Sequence, residues 1–273
     1  MQSSVNGLLL VTDMDGTMLT TDKHISNENI AAIRAFQKAG GRFSIATGRS
    51  IPSLEHYVHL LQIDTPVILY NGGAIYDYDK REILWHSILS ENAELYVRDV
   101  YEKFPEIGIE ILLDDQIYVA RTNAIVKKHL DTEQLSYTIC NIEEAPKGWF
   151  KVLFALEPSR MDEFENYMLS KGYNDVCFVR SFTHYFEMLP LGSSKGGALC
   201  HLAEITGIPL KQTVAIGDYF NDLEMIQNAG MGVAVANAPQ ELKDAAELVV
   251  CDNDHHAIAE LINYLMNQSI FER

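Results

Sequence analysis

Short, predominantly apolar runs that end in small or polar residues recur along the chain. Runs of this length are typical of strands buried on both faces of a parallel sheet. Ligands of open α/β sheets bind at the carboxyl ends of the strands, which is where the first run places Asp13. The runs and the residues after them are 8–11 before Asp13, 43–46 before Thr47, 67–69 before Asn71, and 213–216 before Gly217 and Asp218.

The segment between the first two runs has the pattern of an amphipathic helix. Ser26 is a suitable N-cap, and Ile30, Ile33 and Phe36 fall on one helical face. The glycine pair at 40–41 then provides a stop signal. A strand, a helix and a second strand in this order predict a βαβ unit.

Between about residues 84 and 187 strand and helix signals alternate, and no polar residue recurs at the strand ends. We interpret residues 85–187 as an inserted α+β cap domain, and residues 1–84 and 188–273 as one core domain. The cap pattern predicts helices with apolar faces over 93–104 and 161–168, and strands near 109–113, 117–120, 150–156, 176–179 and 185–189. Core-type patterning resumes at 193–202, 214–217, 232–235 and 248–250.

Length and composition fit a globular protein of this kind. The 273 residues suffice for a core domain plus an insert, because domains most often contain about 100–150 residues. Hydrophobic residues make up 47% and charged residues 22%, which is ordinary for a folded chain. The formal charge of −17 argues against nucleic acid and anionic membranes as partners. A phosphate-bearing substrate would need local positive charge from a metal, a lysine and backbone amides.

Cysteine spacing and the length of the apolar runs bear on the compartment. None of the four cysteines forms a C-x-x-C pair, nothing at the start resembles a signal peptide, and no apolar run approaches the ~18–20 residues of a membrane span. We therefore expect a cytoplasmic protein without zinc or disulfides. His255 and His256 have no carboxylate at the spacing of a metal motif, so we interpret them as surface histidines.

The motif from Asp13 to Thr17 concentrates reactive side chains after the first run. In an extended strand residues i and i+2 point to the same side, so Asp13 and Asp15 can converge on one substrate. One carboxylate could attack while the other carries a proton. Gly16 permits a sharp turn, and a threonine hydroxyl can hold the loop. A calcium loop is the weaker alternative, since an EF-hand requires Glu at position 12, where this chain has His24.

Four motifs follow one another along the chain. They are Asp13 to Thr17, Thr47 within 46–49, Lys195 within 194–196, and Asp218 within 217–222. In this order they resemble the haloacid dehalogenase-like phosphatases, and more narrowly their Cof-type sugar-phosphatase subfamily, over essentially the whole chain. The resemblance includes an Asn-Gly-Gly-Ala segment at 71–74 and a large cap before the lysine motif. It implies an α/β fold with a Rossmann-like three-layer core around a parallel sheet, plus the inserted α+β cap. Leu191 is a departure, because relatives often have Lys in this segment.

The resemblance also implies a mechanism in which two carboxylates take different roles. Asp13 would attack phosphorus to form an aspartyl-phosphate, while Asp15 would protonate the leaving oxygen and later activate water. Mg²⁺ would be bound by the Asp13 carboxylate, the Asp15 backbone carbonyl and Asp218. Asp222 would support these ligands without binding the metal itself. The expected phosphate-binding groups are the Met14 and Gly48 amides, the Thr47 hydroxyl, Lys195 and Asn221.

Several functional questions stay open at the level of the sequence. A phosphosugar mutase or a non-catalytic phosphometabolite sensor would use the same scaffold, although the presence of all the catalytic residue types favours an enzyme. The cap is expected to select the small phosphorylated metabolite, but periodicity does not identify which cap residues contact it. Arg49 could meet the substrate or pair with a carboxylate. Neither the substrate nor the oligomeric state is predicted.

Overall fold

The computed structural model describes residues 5–267, which form two compact units. The second unit overlaps the interval that the sequence analysis assigns to the cap, and its last strand ends at Pro190. The first unit contains residues 5–48, 55–85 and 194–267, and the second contains residues 49–54 and 86–193.

Both units are built from short strands and helices. Within residues 5–267 no helix is both long and apolar enough to cross a membrane. The strands are β1 (Leu9–Thr12), β2 (Arg42–Ile45), β3 (Val67–Leu69), β4 (Ala74–Asp77), β5 (Glu82–His86), β6 (Gly108–Leu113), β7 (Gln116–Arg121), β8 (Thr138–Ile139), β9 (Lys151–Ala155), β10 (Val176–Phe182), β11 (Tyr185–Pro190), β12 (Thr213–Gly217), β13 (Met231–Val235) and β14 (Leu248–Val250). The α-helices are α1 (Asn27–Lys38), α2 (Ile51–Leu61), α3 (Ala93–Lys103), α4 (Ala124–Glu133), α5 (Pro158–Ser170), α6 (Lys195–Thr206), α7 (Leu223–Asn228), α8 (Gln240–Ala245) and α9 (Ala257–Asn267).

The first unit contains a five-stranded parallel sheet in the order β14-β13-β12-β1-β2. Val11 of β1 lies opposite Ala215 of β12 on one side and Ser44 of β2 on the other. Leu9 and Val11 belong to a hydrophobic cluster with residues of α6 and α7. The helices α1 and α9 pack against each other and contact β2 and β14. The predicted α/β fold with a Rossmann-like three-layer core is confirmed.

The strand β3 differs from its prediction. The sequence analysis places this run in the parallel sheet, but β3 pairs antiparallel with β4, in a separate three-stranded sheet with β5. The chain reverses after β3 through Tyr70 and Asn71, which have positive φ angles of 53° and 55°. An isolated parallel bridge between Ala46 and Ile68 links β3 to the end of β2. The prediction was therefore wrong about the main pairing of this strand.

The first helix follows its prediction closely. The Ser26 hydroxyl accepts a hydrogen bond from the Asn29 amide at 3.2 Å, which caps the amino end of α1. Ile33 and Phe36 are completely buried, as their position on one helical face predicts. The helix ends at Lys38, just before the glycine pair.

The second unit is a six-stranded sheet in the order β10-β11-β9-β6-β7-β8. Its pairs are antiparallel except for β7 with β8. On one face, α3 and α5 contribute to a core in which the Phe164 ring lies 5.1–5.5 Å from three other phenylalanine rings, measured between centroids. The α+β character predicted for the cap agrees with this arrangement. The three rings belong to Phe104, Phe154 and Phe186.

The helix α4 was missing from the predicted elements. Its buried side chains are Val126 and Leu130, one turn apart, which is too short a pattern to define an apolar face. A local signal was nevertheless present in Asn123, whose side chain accepts hydrogen bonds from the Ile125 and Val126 amides at 3.1 and 2.9 Å. This N-cap explains why the helix begins at Ala124.

We expect Phe164→Ala to destabilise the second unit strongly. Removing a fully buried ring leaves a cavity among the other phenylalanines, which costs about 3–5 kcal/mol in the free energy of unfolding. Urea denaturation followed by circular dichroism measures the change. The matched control is Leu169→Ala on the same helix, where the side chain is 59% exposed and the expected loss is below about 0.5 kcal/mol. Equal losses in the two variants would contradict the position of Phe164 in this core.

Candidate active site

The carboxyl ends of β1 and β12 bring two aspartates to the same edge of the parallel sheet. Thr12 lies opposite Ile216 in the sheet register, and the Asp13 amide donates to the Ile216 carbonyl at 2.9 Å. Asp218 follows β12 just as Asp13 follows β1. Between them Gly16 has a φ of 91°, and a Cβ at this position would lie 2.4 Å from an Asp218 carboxylate oxygen. The turn after β1 therefore requires glycine.

A buried lysine joins Asp13 to a third aspartate, Asp222. Lys195, the first residue of α6, places its Nζ 2.6 Å from Oδ1 of Asp13 and 2.6 Å from Oδ1 of Asp222. Its side chain is only 1% exposed. Asp13, Asp218 and Asp222 each have a carboxylate oxygen within 4.8 Å of the others. We call these three aspartates the carboxylate cluster.

Asp222 organises the loop after β12. Its Oδ2 accepts hydrogen bonds from the backbone amides of Asp218 and Tyr219 at 3.0 and 3.1 Å, while its Oδ1 accepts from Lys195. Both oxygens therefore already have donors. This arrangement suits a residue that positions Asp218, as the sequence analysis predicts, better than a residue that binds a metal directly.

Burial and mutual repulsion control the protonation of the carboxylate cluster. Burial raises the pKa of Asp13 to about 6, although the Lys195 ammonium lowers it. Burial, followed by the charges of Asp13 and Asp222, raises the pKa of Asp218 to about 9. Burial lowers the pKa of Lys195, but the charges of Asp13 and Asp222 outweigh that effect and keep it above its ordinary value. One ammonium thus faces three carboxylates.

The chemistry of this cluster fits a hard divalent cation. The donors are carboxylate oxygens, which suit Mg²⁺ better than they suit zinc. A dication would also counter the negative charge of the cluster, which adds to burial in raising the pKa of Asp218. The Thr17 hydroxyl donates to Oδ1 of Asp218 at 2.8 Å and so orients this carboxylate.

The Asp15 carboxylate lies in a different environment from that of Asp13. Its Oδ1 is 2.8 Å from the Lys23 ammonium, and its side chain is 34% exposed, against 8% for Asp13. It does not belong to the carboxylate cluster. The two acidic residues of the motif are therefore distinct in burial and in partners.

Three of the residues predicted to bind phosphate meet around Asn71, which the sequence analysis did not include in the site. They are Thr47, Gly48 and Asn221. Asn71 donates its backbone amide to the Thr47 carbonyl at 3.0 Å and accepts at Oδ1 from the Asn221 amide at 3.0 Å. Gly48 lies beside the Asn71 side chain. The signal for Asn71 was its place after β3 in the Asn-Gly-Gly-Ala segment, but its left-handed backbone conformation could not be read from the sequence.

The segment of Asn71 and Gly72 also lies against the start of α6. Gly72 has a φ of 95°, and a Cβ there would come within 2.1 Å of the Ser194 carbonyl oxygen and 2.9 Å of the Lys195 amide. Met14, whose amide is a predicted phosphate donor, is fully buried. The first unit therefore assembles residues from five separated segments near the carboxyl ends of β1 and β12.

The remaining candidates lie outside this cluster. His255 is 75% exposed and pairs with Asp252 at 2.6 Å, in keeping with a surface histidine. His256 is 44% exposed, with Nδ1 3.7 Å from Glu28. Arg49 belongs to the second unit, where it forms an ion pair of 3.3 Å with Glu133.

Comparison with known proteins gives a consistent picture. A family model described as haloacid dehalogenase-like hydrolase matches residues 10–262. The chain is 30% identical to the 5-amino-6-(5-phospho-D-ribitylamino)uracil phosphatase YwtE of Bacillus subtilis, covering 94% of this chain and 98% of that protein. It is 27% identical to the pyridoxal phosphate phosphatase YbhA of Escherichia coli K12, covering 93% and 97%. A haloacid dehalogenase-like hydrolase structure from Bacteroides thetaiotaomicron superposes with a TM-score of 0.84 at 26% identity, covering 94% and 99%.

The raised pKa values predict how Asp218→Asn changes stability when EDTA removes metal ions. The unfolded state loses these protons near pH 4, whereas Asp13 and Asp218 hold them to about pH 6 and 9. Stability from these groups is therefore complete below pH 4 and is lost as pH rises through those values. We expect Asp218→Asn to gain stability over wild type progressively from pH 5 to pH 9, measured by urea denaturation.

The control for this prediction is Asp22→Asn, which changes an exposed carboxylate outside the cluster. Its difference from wild type should not grow over the same pH range. Added Mg²⁺ should stabilise the wild-type protein more at pH 8 than at pH 5, because it compensates the ionised cluster. A constant difference between Asp218→Asn and wild type at all pH values would contradict the charge balance described here.

Proposed function

The chain belongs to the haloacid dehalogenase-like hydrolases and is a phosphatase of that family, and we propose that it hydrolyses small phosphorylated metabolites through an aspartyl-phosphate on Asp13. The observation that carries this proposal is the position of Asp13. Its buried carboxylate follows β1, contacts the Lys195 ammonium at 2.6 Å and lies in a cluster suited to a divalent cation. A nucleophile, a cation and a metal site in one place are the requirements of phosphoryl transfer to a carboxylate.

The first step forms a bond from an Asp13 carboxylate oxygen to phosphorus while the bond from phosphorus to the leaving oxygen breaks. With a pKa of about 6, Asp13 is mostly ionised at neutral pH and is able to attack. Asp15 gives a proton to the leaving oxygen, so that an alcohol departs. Water then attacks phosphorus in the aspartyl-phosphate, Asp15 takes a proton from that water, and free phosphate and Asp13 are restored.

The different surroundings of the two aspartates support this division of roles. A nucleophile benefits from the fixed position that burial and Lys195 give to Asp13. A proton carrier must exchange with solvent, and Asp15 is the more exposed of the two. Asp15 must carry a proton when it acts as an acid, although its Oδ1 lies 2.8 Å from the Lys23 ammonium.

Asp13, Asp218 and the Asp15 backbone carbonyl would hold Mg²⁺, with Asp222 fixing the position of Asp218. When bound, the ion would neutralise charge on the phosphate oxygens and so permit their approach to Asp13. The other phosphate oxygens would be bound by groups that carry donors and no negative charge. These groups are the Met14 and Gly48 amides, the Thr47 hydroxyl, the Asn221 amide and the Lys195 ammonium.

The proposal predicts that Asp13→Asn abolishes turnover and leaves the fold intact, because the amide is nearly isosteric with the carboxylate but is a poor nucleophile. We expect phosphate release to fall more than about a thousandfold. The measurement is free phosphate from a panel containing sugar phosphates, pyridoxal 5′-phosphate and flavin mononucleotide, with Mg²⁺ or with EDTA. Asp22→Asn is the matched control and should keep wild-type rates.

Two results would reject this function. Turnover that survives in a folded Asp13→Asn protein would exclude the aspartyl-phosphate. Conversion of one sugar phosphate isomer to another, with little free phosphate, would indicate a mutase that returns the phosphoryl group to its substrate. Phosphate release that EDTA does not reduce would argue only against the metal requirement and would leave the rest of the proposal in place.

A further inference from the structure

The turn that follows β1 is held on its inner side by a single backbone carbonyl. The Met14 carbonyl accepts hydrogen bonds from the amides of residues 17, 18 and 19 at 3.3, 3.0 and 2.8 Å. Asp15 lies within this turn, between the accepting carbonyl and the residues that donate to it. The path of the turn therefore contributes to where the Asp15 carboxylate lies.

Two asparagines from the loops after β13 and β14 hold the same turn on its outer side. Nδ2 of Asn237 donates to the Gly16 carbonyl at 2.8 Å, and Nδ2 of Asn253 donates to the Leu19 carbonyl at 2.9 Å. The backbone amide of Asn253 also donates to Oδ1 of Asn237 at 3.2 Å, which joins the two loops to each other. The turn that carries Asp15 is thus fixed to two loops that lie more than 200 residues away in the sequence.

The partners of Asn237 determine which way its side-chain amide points. The Gly16 carbonyl can only accept and the Asn253 backbone amide can only donate, so Nδ2 faces the first and Oδ1 faces the second. An aspartate at this position would keep the acceptor and lose the donor. Asn237 is exposed, so its hydrogen bond to Gly16 can be removed without leaving a cavity in the core.

The two aspartates of the motif depend on this turn to different degrees. The Asp13 carboxylate is buried and contacts the Lys195 ammonium at 2.6 Å. The Asp15 side chain is 34% exposed and contacts Lys23, which is itself 50% exposed. An ion pair between exposed side chains contributes little to holding either of them in place. A change in the turn should therefore displace Asp15 more than Asp13.

We propose that Asn237 is a positioning residue for proton transfer, because its hydrogen bond to the Gly16 carbonyl holds the turn where the Asp15 carboxylate reaches the leaving oxygen. This inference rests on the proposed function. Gly16 directly follows Asp15, and glycine has the least restricted backbone, so the hydrogen bond restrains the turn where it is most free to move. As the bond from phosphorus to the leaving oxygen breaks, the Asp15 proton passes to that oxygen, and this transfer requires the two oxygens to be within hydrogen-bonding reach.

The test compares two kinds of ester in Asn237→Ala. An alkoxide leaves poorly without a proton, whereas 4-nitrophenolate leaves without one, so loss of the position of Asp15 should affect the first kind of ester only. We expect kcat/KM to fall about tenfold to a hundredfold for the best sugar phosphate, and by less than about threefold for p-nitrophenyl phosphate. Because kcat/KM reports the steps up to departure of the leaving group, the later hydrolysis of the aspartyl-phosphate does not enter this comparison.

Two further variants separate the hydrogen bond from the side chain that makes it. Asn237→Asp is nearly isosteric but cannot donate to Gly16, so it should not restore the sugar phosphate rate. Asn263→Ala removes an exposed asparagine of α9 and should change neither rate. Equal falls for the two esters in Asn237→Ala, or no fall for either, would overturn the inference while the wild-type protein remained a phosphatase. Absence of phosphate release by the wild-type protein would instead reject the proposed function, and this role with it.

Hydrogen exchange followed by mass spectrometry tests the contact without turnover. In Asn237→Ala the amides of residues 17–19 should exchange about tenfold faster or more, because their hydrogen bonds to Met14 lie in the turn that is released. The amides of β2 should keep their rates, and Asn263→Ala should alter neither segment. Unchanged exchange at residues 17–19 would reject the inference whatever the ester measurements show.

Discussion

The contact of the buried Lys195 ammonium with Asp13 and Asp222 is the constraint on which the first unit depends. A charged amine that is 1% exposed is costly to bury, and two carboxylates at 2.6 Å offset that cost. The three residues come from the end of β1, the start of α6 and the loop after β12. If any of these segments moved, a buried charge would lose its partner. The requirement to pair the lysine therefore fixes the segments that surround the site.

The same contact also leaves Asp218 as the member of the carboxylate cluster that Lys195 does not pair with. Lys195 satisfies Asp13 and Asp222, but Asp218 accepts a hydrogen bond from the neutral Thr17 hydroxyl and remains close to two other carboxylates. Burial, followed by the charges of Asp13 and Asp222, therefore raises the pKa of Asp218. A protein built only for stability would neutralise Asp218 with a second cation or replace it. An excess of buried negative charge is instead the form that a site for a divalent cation takes.

Much of this site follows from the sequence because parallel strands align their carboxyl ends. Asp13 and Asp218 could be placed together from the apolar runs before them, and the helix cap at Ser26 could be read directly. The antiparallel pairing of β3 with β4 could not be predicted, since an apolar run does not encode the direction of the neighbouring strand. Asn71 was missed because its role depends on a left-handed backbone and on Asn221, which is 150 residues away. In the cap, Glu110 and Glu187 interrupt apolar strands visibly, but their common face depends on register across β9.

The fold and the family of this chain do not by themselves identify its substrate. Two relatives carry the names of different phosphate esters, a ribitylaminouracil phosphate and pyridoxal phosphate, although this chain matches both over more than nine-tenths of its length. A shared fold and family therefore do not identify a substrate, and selection must come from groups outside the shared motifs.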